Sequence, residues 1–170
     1  MAAFTVALFA ATYLLWKSGE KHSERELRAY VSVPGAGIGN FGASKRVQAK
    51  LHVRNCGQTP AYDLSLITTL GIRKLPRHDF EPSQKIEGLV SKGTVGPGDF
   101  VEVPQEMETA LTPEICERIQ RREIAIFFFG KITYRDAFEK QRFTNFRYIA
   151  EPTDSDTLNL TPTEDGNDSN

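Results

Sequence analysis

A chain of 170 residues suits one domain with a core of ordinary size and room for terminal appendages. The net charge of −1 hides an asymmetry: six of the 22 acids and none of the 21 basic residues lie in 151–170, which leaves residues 1–150 with 16 acids and a balance of +5. This mild, unclustered excess excludes the charge pattern of a nucleic-acid-binding protein. Two cysteines, Cys56 and Cys116, cannot build a disulfide scaffold, and two reduced, partly buried thiols are favoured over a single bridge.

The first predicted element is an apolar helix over Ala2–Trp16, which holds no charged residue and no helix breaker. Fifteen helical residues extend about 22 Å, short of the roughly 30 Å of a hydrocarbon core, so a span would need local thinning of the bilayer. A single-pass membrane anchor fits this segment better than two alternatives. A cleaved signal peptide needs basic residues before the apolar run, and a buried core helix needs a polar stripe.

Residues 17–28 are predicted to continue this helix as a charged stalk, in which Glu24 and Arg28 form a favourable i,i+4 pair. The basic residues near the apolar run all follow it, at Lys17, Lys21, Arg25 and Arg28. The positive-inside tendency therefore favours an inner-membrane protein whose domain lies on the cytoplasmic side, with the opposite orientation left open.

The body of the chain begins with short β-type runs separated by turn signals. A strand over Ala29–Val33 ends before Pro34 and is followed by a glycine-rich loop over residues 35–42. Arg46–Asn55 alternates between apolar and polar residues, which predicts a half-buried strand. Further strands are predicted over 62–70, 86–90 and 100–103, with an irregular segment over 73–85 and a turn over 92–98.

The last third of the body contains a helix, a central strand and a hairpin. Thr112 can cap a helix that has proline at its first position and glutamate beside it, and this helix is predicted to end near Arg121. Glu123–Tyr134 is apolar on both faces, which is typical of a central strand covered from both sides. A hairpin turn over Arg135–Lys140 is predicted to lead into a strand over Gln141–Ile149.

Six or seven short strands, fairly even turn spacing and one small helix predict a mainly β fold, an antiparallel immunoglobulin-like β-sandwich. Residues 151–170 hold too little apolar material to fold and are predicted to be a disordered acidic tail. The predicted organisation is an N-terminal transmembrane and stalk helix at 1–28, a β-sandwich domain at 29–150 and the tail at 151–170.

The segment NCGQTPAYDL, residues 55–64, is interpreted as the connection between two core strands. Asn55 is expected to end one strand, and Gly57 to supply a backbone angle that Cβ-bearing residues resist. Pro60 suits the first position of the next strand, where its missing N–H costs little. Cys56 is then an incidental thiol at a strand end.

One glycine motif invites a functional interpretation. Residues 37–42, Gly-Ile-Gly-Asn-Phe-Gly, match the G-x-G-x-x-G pattern of dinucleotide-binding loops. Such a loop must open a helix whose N-terminus faces the pyrophosphate, whereas a strand pattern follows here. A flexible loop between strands is therefore favoured, and a small-anion or nucleotide site at residues 35–42 is the alternative.

Side chains that could carry catalysis or bind a metal are scattered. The histidines lie on the stalk, on a strand and in an irregular segment, at His22, His52 and His78. The aspartates considered as catalytic acids lie at turns or strand edges, at Asp63, Asp79 and Asp136. Asp136 is expected to shape the hairpin. His52 and Cys56 are four residues apart on a strand, about 13 Å, which is too far for a catalytic dyad. No catalytic, cofactor-binding or metal-binding residue is predicted, and no cofactor.

Three motifs follow the apolar N-terminus: RAYV at Arg28–Val31, VRNCGQTPAYDL at Val53–Leu64, and GKITYRDAF with RFTNF between Gly130 and Phe146. Together they resemble a group of small, single-pass bacterial proteins, mostly uncharacterised, that carry an immunoglobulin-like sandwich beyond the anchor. The Asn-x-Gly-x-Thr-Pro-Ala stretch is also similar to bacterial adhesion-type β-sandwich repeats. The resemblance covers residues 1–150 and implies the fold and the anchor, and it carries over no catalytic residue.

The predicted function is that of a non-catalytic, membrane-tethered interaction module. Its expected partners are the membrane, through the anchor, and another protein, but not nucleic acid. The alternative is the anion- or nucleotide-binding domain that uses residues 35–42. A hydrolase that uses Cys56 is disfavoured by the spacing to His52.

Overall fold

The computed structural model describes residues 2–75, 93–153 and 157–170. Within these ranges the chain is mainly β and antiparallel with few helices, which confirms that part of the predicted fold class. The elements in chain order are α1 (Ala2–Leu27), β1 (Val31–Gly39), β2 (Gln48–Asn55), β3 (Ala61–Lys74), β4 (Gly93–Val95), β5 (Phe100–Glu106), α2 (Pro113–Gln120), β6 (Ile124–Arg135), β7 (Gln141–Pro152) and β8 (Leu158–Pro162). The strand predicted over 86–90 lies outside the described residues, as does most of the irregular segment over 73–85.

Two antiparallel sheets share one hydrophobic core. The first has the strand order β1-β2-β5, and the second has the order β4-β3-β6-β7-β8. Both sheets contribute fully buried side chains to a single cluster, for example Leu51, Val53, Ile126, Phe128 and Ile132. Burying apolar surface of this kind supplies the main favourable term in folding.

The two clearest strand predictions are confirmed. Along β2 the side chains alternate strictly between exposed and buried, as the period of two requires. In β6 the six residues from Ile124 to Phe129 are all buried. Three of these residues, Ala125, Phe127 and Phe129, belong to a second apolar cluster that is separate from the shared core. Leu75 and Ile149 are partly buried and pack against them. β6 is therefore a central strand covered on both faces.

The predicted helix cap is also confirmed. The Thr112 hydroxyl accepts a hydrogen bond from the Ile115 backbone N–H over 3.3 Å, and Pro113 begins α2. An N-cap of this kind is worth about 1 kcal/mol. Ile119 is fully buried and attaches the helix to the core.

The glycine-rich loop predicted over 35–42 is wrong for its first five residues, because β1 continues to Gly39. Gly37 pairs with Lys50 and Gly39 with Gln48, so β2 supplies regular backbone partners to this stretch. The register shifts between Ser32 and Gly35, around Pro34, which has no backbone N–H to donate. Glycine is a poor strand former, but an adjacent strand with unpaired backbone groups outweighs that preference.

The prediction of a disordered tail over 151–170 is wrong for residues 151–152, which end β7, and for residues 157–170. β8 pairs antiparallel with the end of β7, and its Leu158 and Leu160 are buried against the core. Further along β7, Asn145 donates its backbone N–H to the Asp168 carbonyl oxygen over 2.8 Å. The physical reason is that β7 offers a long edge of unpaired backbone groups, which a polar segment with two alternating leucines can satisfy.

The helix α1 covers both the predicted anchor and the predicted stalk. Of the helices in the part of the chain that the structure describes, none has the combined length and hydropathy that crossing a bilayer requires. The transmembrane span over Ala2–Trp16 stays a prediction.

Candidate functional site at the helix–sheet junction

Charged side chains gather where the C-terminal end of α1 meets the β6–β7 hairpin. We call this group the junction cluster; it consists of Glu24, Arg25, Arg28, Lys140 and Arg142. The Glu24 carboxylate bonds the Lys140 ammonium and lies 3.5 Å from the Arg142 guanidinium. Glu24 thus pairs with the hairpin instead of forming the predicted bridge to Arg28, and these contacts join α1 to the second sheet.

Arg28 is held by its aromatic neighbour. Its guanidinium lies over the Tyr30 ring, 4.1 Å from the centroid, and it also donates a hydrogen bond to the Tyr30 hydroxyl. The Arg28 Nε is buried, and it has no hydrogen-bond partner among the residues that the structure describes. A buried donor without an acceptor lowers the stability of the fold, so the junction lacks a hydrogen-bond acceptor at this atom.

Asp136 organises the hairpin from beneath the cluster, as the sequence predicts. Its fully buried carboxylate accepts hydrogen bonds from the backbone N–H groups of Phe138 and Lys140, both over 2.9 Å, and from Arg142 Nε over 2.8 Å. Burial is the largest single influence on this carboxyl and raises its pKa. The Lys140 N–H, the Arg142 guanidinium and the Phe138 N–H together outweigh burial, so the pKa of Asp136 lies below its usual value.

Asn55, at the end of β2, is a fully buried amide that joins three parts of the chain. Its side-chain oxygen accepts hydrogen bonds from the backbone N–H groups of Tyr30, over 3.1 Å, and Gly57, over 3.0 Å. Its side-chain nitrogen donates to the carbonyl oxygens of Thr59, over 2.8 Å, and Val95, over 3.1 Å. The amide uses both its donors and both acceptor sites, which makes it a structural centre beside the junction.

Gly57 is required for a different reason from the predicted one. A Cβ atom at this position would lie 2.3 Å from the Arg28 carbonyl oxygen and 2.5 Å from the Tyr30 backbone nitrogen. The backbone angle φ of Gly57 is not positive; the described glycines with positive φ are Gly42, Gly98 and Gly166. The absence of a side chain therefore allows the start of β1 to approach the β2–β3 connection closely, and the backbone angle is not the cause.

The first sheet is attached to the second partly through tyrosine and threonine hydroxyls. Tyr134 Oη accepts from the Val31 N–H over 3.3 Å, and burial, its largest influence, raises its pKa. Thr144 Oγ1 donates to the Val31 carbonyl oxygen over 2.6 Å, and Tyr148 Oη donates to that of Val33 over 3.1 Å. These bonds hold β1 against β6 and β7.

A family model described as a domain of unknown function, DUF8453, matches residues 1–154 of this chain. The chain belongs to the DUF8453 family. No curated protein and no solved structure matches the chain. In this DUF8453 member the matched region includes α1, the junction cluster and all strands up to β7, and it ends before β8 begins. β8 and the residues after it therefore add an edge strand outside the matched region.

The thiols and histidines of the DUF8453 chain form no catalytic arrangement among its described residues. Cys56 is exposed, and its sulfur lies 3.2 Å from the Ser32 hydroxyl. Cys116 is half-buried, and burial raises the pKa of its thiol, which disfavours the reactive thiolate. His52 lies on the exposed face of β2, 3.3 Å from a Glu102 carboxylate oxygen.

The other residues that the sequence singled out have partners of their own. His22 lies beside Glu26 on α1, at 3.2 Å, and Asp63 accepts from Arg135 over 3.0 Å. His78 and Asp79 fall outside the described residues. Over the described ranges no three His, Cys, Asp or Glu side chains are placed to hold a metal ion. Sequence reasoning placed Asn55 at a strand end but missed its bonds to Tyr30 and Val95, which are 25 and 40 residues away. It missed the junction cluster for the same reason, since 116 residues separate Glu24 from Lys140.

Proposed function

We propose that this DUF8453 protein is a non-catalytic interaction module that the apolar part of α1 holds at a membrane. The observation that carries the proposal is the exposure of large apolar side chains on this helix. Six large apolar residues of α1 are each between 55% and 78% exposed: Leu8, Phe9, Tyr13, Leu14, Leu15 and Trp16. A contiguous apolar surface of this kind needs an apolar environment.

The arrangement of these residues favours lipid over a protein groove. At 3.6 residues per turn, Leu8, Phe9 and Leu14 point in directions about 100–140° apart around the helix axis. A helix that docks into a groove has one apolar stripe, whereas a helix that is apolar on all sides suits lipid or a closed core. Because the apolar run is short, its insertion requires a locally thinned bilayer. The basic residues that follow the run favour the cytoplasmic side for the domain.

The strand order supports an immunoglobulin-like assignment for the domain. The orders β1-β2-β5 and β4-β3-β6-β7 correspond to strands A-B-E and C′-C-F-G of an immunoglobulin domain, with β8 as an additional edge strand. Domains of this architecture serve many unrelated functions, so the fold supports a binding role only in general terms. Residues 35–39 lie in β1, so the alternative site at 35–42 lacks the loop that it requires.

The tether is tested by extraction of membranes with alkaline carbonate. The intact protein is expected to stay in the membrane pellet, whereas a variant with Leu14→Lys and Leu15→Lys is expected to move to the supernatant. Arg121→Gln, on the exposed end of α2, is the control that should stay with the pellet. Release of the unmodified protein by carbonate would contradict the proposal.

A further inference from the structure

We propose that the junction cluster binds a phosphate-type oxyanion, held by Arg25, Arg28 and Lys140. The cluster lines an open pocket between α1 and the β6–β7 hairpin. The pocket volume of about 360 Å³ lies within the range of small-ligand sites. This inference goes beyond the proposed function and does not depend on the membrane tether. It also differs in location from the glycine-rich segment that the sequence suggested.

The charge balance of the pocket favours an anion. Four basic side chains line it and one acidic side chain, Glu24, accompanies them. Asp136 lies behind Arg142 and is paired with it over 2.8 Å. With Asp136 counted, four positive charges face two negative ones, which leaves an excess of two positive charges. A doubly charged phosphate would balance that excess.

Two arginines at the pocket have hydrogen-bond donors that are not used within the described residues. Glu24 forms ion pairs with Lys140 and Arg142, but Arg25 makes no hydrogen bond or ion pair with any described residue. The buried Arg28 Nε has no acceptor, although the rest of that guanidinium is fixed against Tyr30. A water molecule could accept from Arg28 Nε, but only an anion would satisfy that donor and the charge together. Arginine presents its donors in a planar fork that matches phosphate oxygens.

Phosphate could come from a free anion or from a lipid headgroup. Arg28 lies twelve residues beyond Trp16, about 18 Å along a helix. If the apolar run of α1 sits in the membrane, the pocket therefore lies beyond the headgroups next to Trp16. This separation favours a soluble phosphate, and the experiment treats the two sources separately.

The test uses the full chain in an uncharged detergent and inorganic phosphate as the probe, with sodium chloride at equal ionic strength as the reference. Phosphate at up to about 10 mM is expected to shift the Arg28 Nε–H signal in a nitrogen-correlated NMR spectrum. Arg28→Lys identifies that signal by removing it. Arg25→Gln and Lys140→Gln should each weaken the apparent affinity about tenfold, because each removes a charge-assisted contact at an exposed position. Lys140 also bonds Glu24, so Arg25→Gln, which breaks no ion pair with a described residue, is the cleaner of the two variants.

Two further variants separate a built site from general attraction to a basic protein. Arg121→Gln removes the same charge from the far end of α2 and should leave phosphate affinity unchanged. Glu24→Gln removes the acid from the pocket and should tighten phosphate binding. An equal loss of affinity in Arg121→Gln and Arg25→Gln would overturn the proposal.

A second arm measures binding to vesicles of phosphatidylcholine with and without phosphatidic acid. A shift of the Arg28 signal with inorganic phosphate supports a soluble ligand. A response only to phosphatidic acid supports the same site with a headgroup as its ligand. No response in either arm would overturn the proposal, while the carbonate extraction reports on the membrane tether independently.

Discussion

The side-chain oxygen of Asn55 accepts a hydrogen bond from the Tyr30 backbone N–H over 3.1 Å, although 25 residues separate the two in sequence. This contact ties the last residue of β2 to the segment between α1 and β1. The other bonds of the same amide extend the connection to the β2–β3 turn and to β4. A single buried amide therefore connects three segments at the start of the domain.

Replacing Asn55 with alanine should destabilise the protein by about 3 kcal/mol, because four buried or part-buried backbone groups would lose their partner. The free energy of unfolding in urea measures the effect. Gln58→Ala, three residues away and exposed, should change it by less than about 0.5 kcal/mol. Equal values for the two variants would contradict the central role of Asn55.

Gly57→Ala should cost about 3 kcal/mol or more, since its Cβ would lie 2.3 Å from the Arg28 carbonyl oxygen and the backbone would have to move. Gly37→Ala is the matched control, because nothing lies within 4 Å of a Cβ at that position in β1. The control should be neutral or slightly stabilising. Thermal unfolding of both variants gives the comparison, and a tolerated Gly57→Ala would show that the close approach is not required.

The protein should become less stable as the pH is lowered through the titration of Asp136. Its folded-state pKa is lowered below the ordinary 3.8, so the ionised carboxylate stabilises the fold above that pH. The contribution is lost as the pH falls from about 4 through the folded-state pKa.

Asp136→Asn should remove this part of the pH dependence and cost about 3 kcal/mol at pH 7, because Arg142 would lose a buried ionic partner. Urea unfolding between pH 7 and pH 2 measures both effects. Asp165→Asn, at an exposed position, should leave the pH profile unchanged. An Asp136→Asn profile as steep as that of the unmodified protein would contradict the assignment.

The C-terminal segment should contribute to stability despite its acidic, polar composition. Leu160→Ala should destabilise the protein by about 2–3 kcal/mol, because Leu160 is only 7% exposed and packs against the core. Asn159→Ala, on the exposed side of β8, should have little effect. Amide hydrogen exchange offers a second measurement, in which residues of β7 should lose protection when the chain is cut after Pro152.

Several features could be predicted because their cause lies within a few neighbouring residues. The alternation of Ala49, Leu51 and Val53 specifies the buried face of β2, and the continuous apolar run of β6 specifies a strand covered on both sides. The Thr112 cap and the Asp136 hairpin depend on hydrogen bonds over two to four residues. Local chemistry of this kind is visible in the order of the residues alone.

Other features depended on groups that are far away in sequence. Residues 35–39 became strand because β2 offered backbone partners, and residues 158–162 became strand because the edge of β7 did the same. Glycine is depleted in strands, and the alternation of Leu158 and Leu160 is too short to predict a strand within a polar segment. Glu24 is bonded by Lys140 and Arg142. The β6–β7 hairpin brings these two residues to Glu24, although they follow it by more than a hundred residues in sequence.

By itself the sequence determined a mainly β domain behind an apolar N-terminal helix, because periodicity and capping are local properties of the chain. Only the tertiary structure decided which polar groups are buried together, where the C-terminal segment pairs, and why position 57 must be glycine. Each of these depends on the close approach of distant backbone segments, and the cost of an unpaired buried group or a steric overlap then selects the residue.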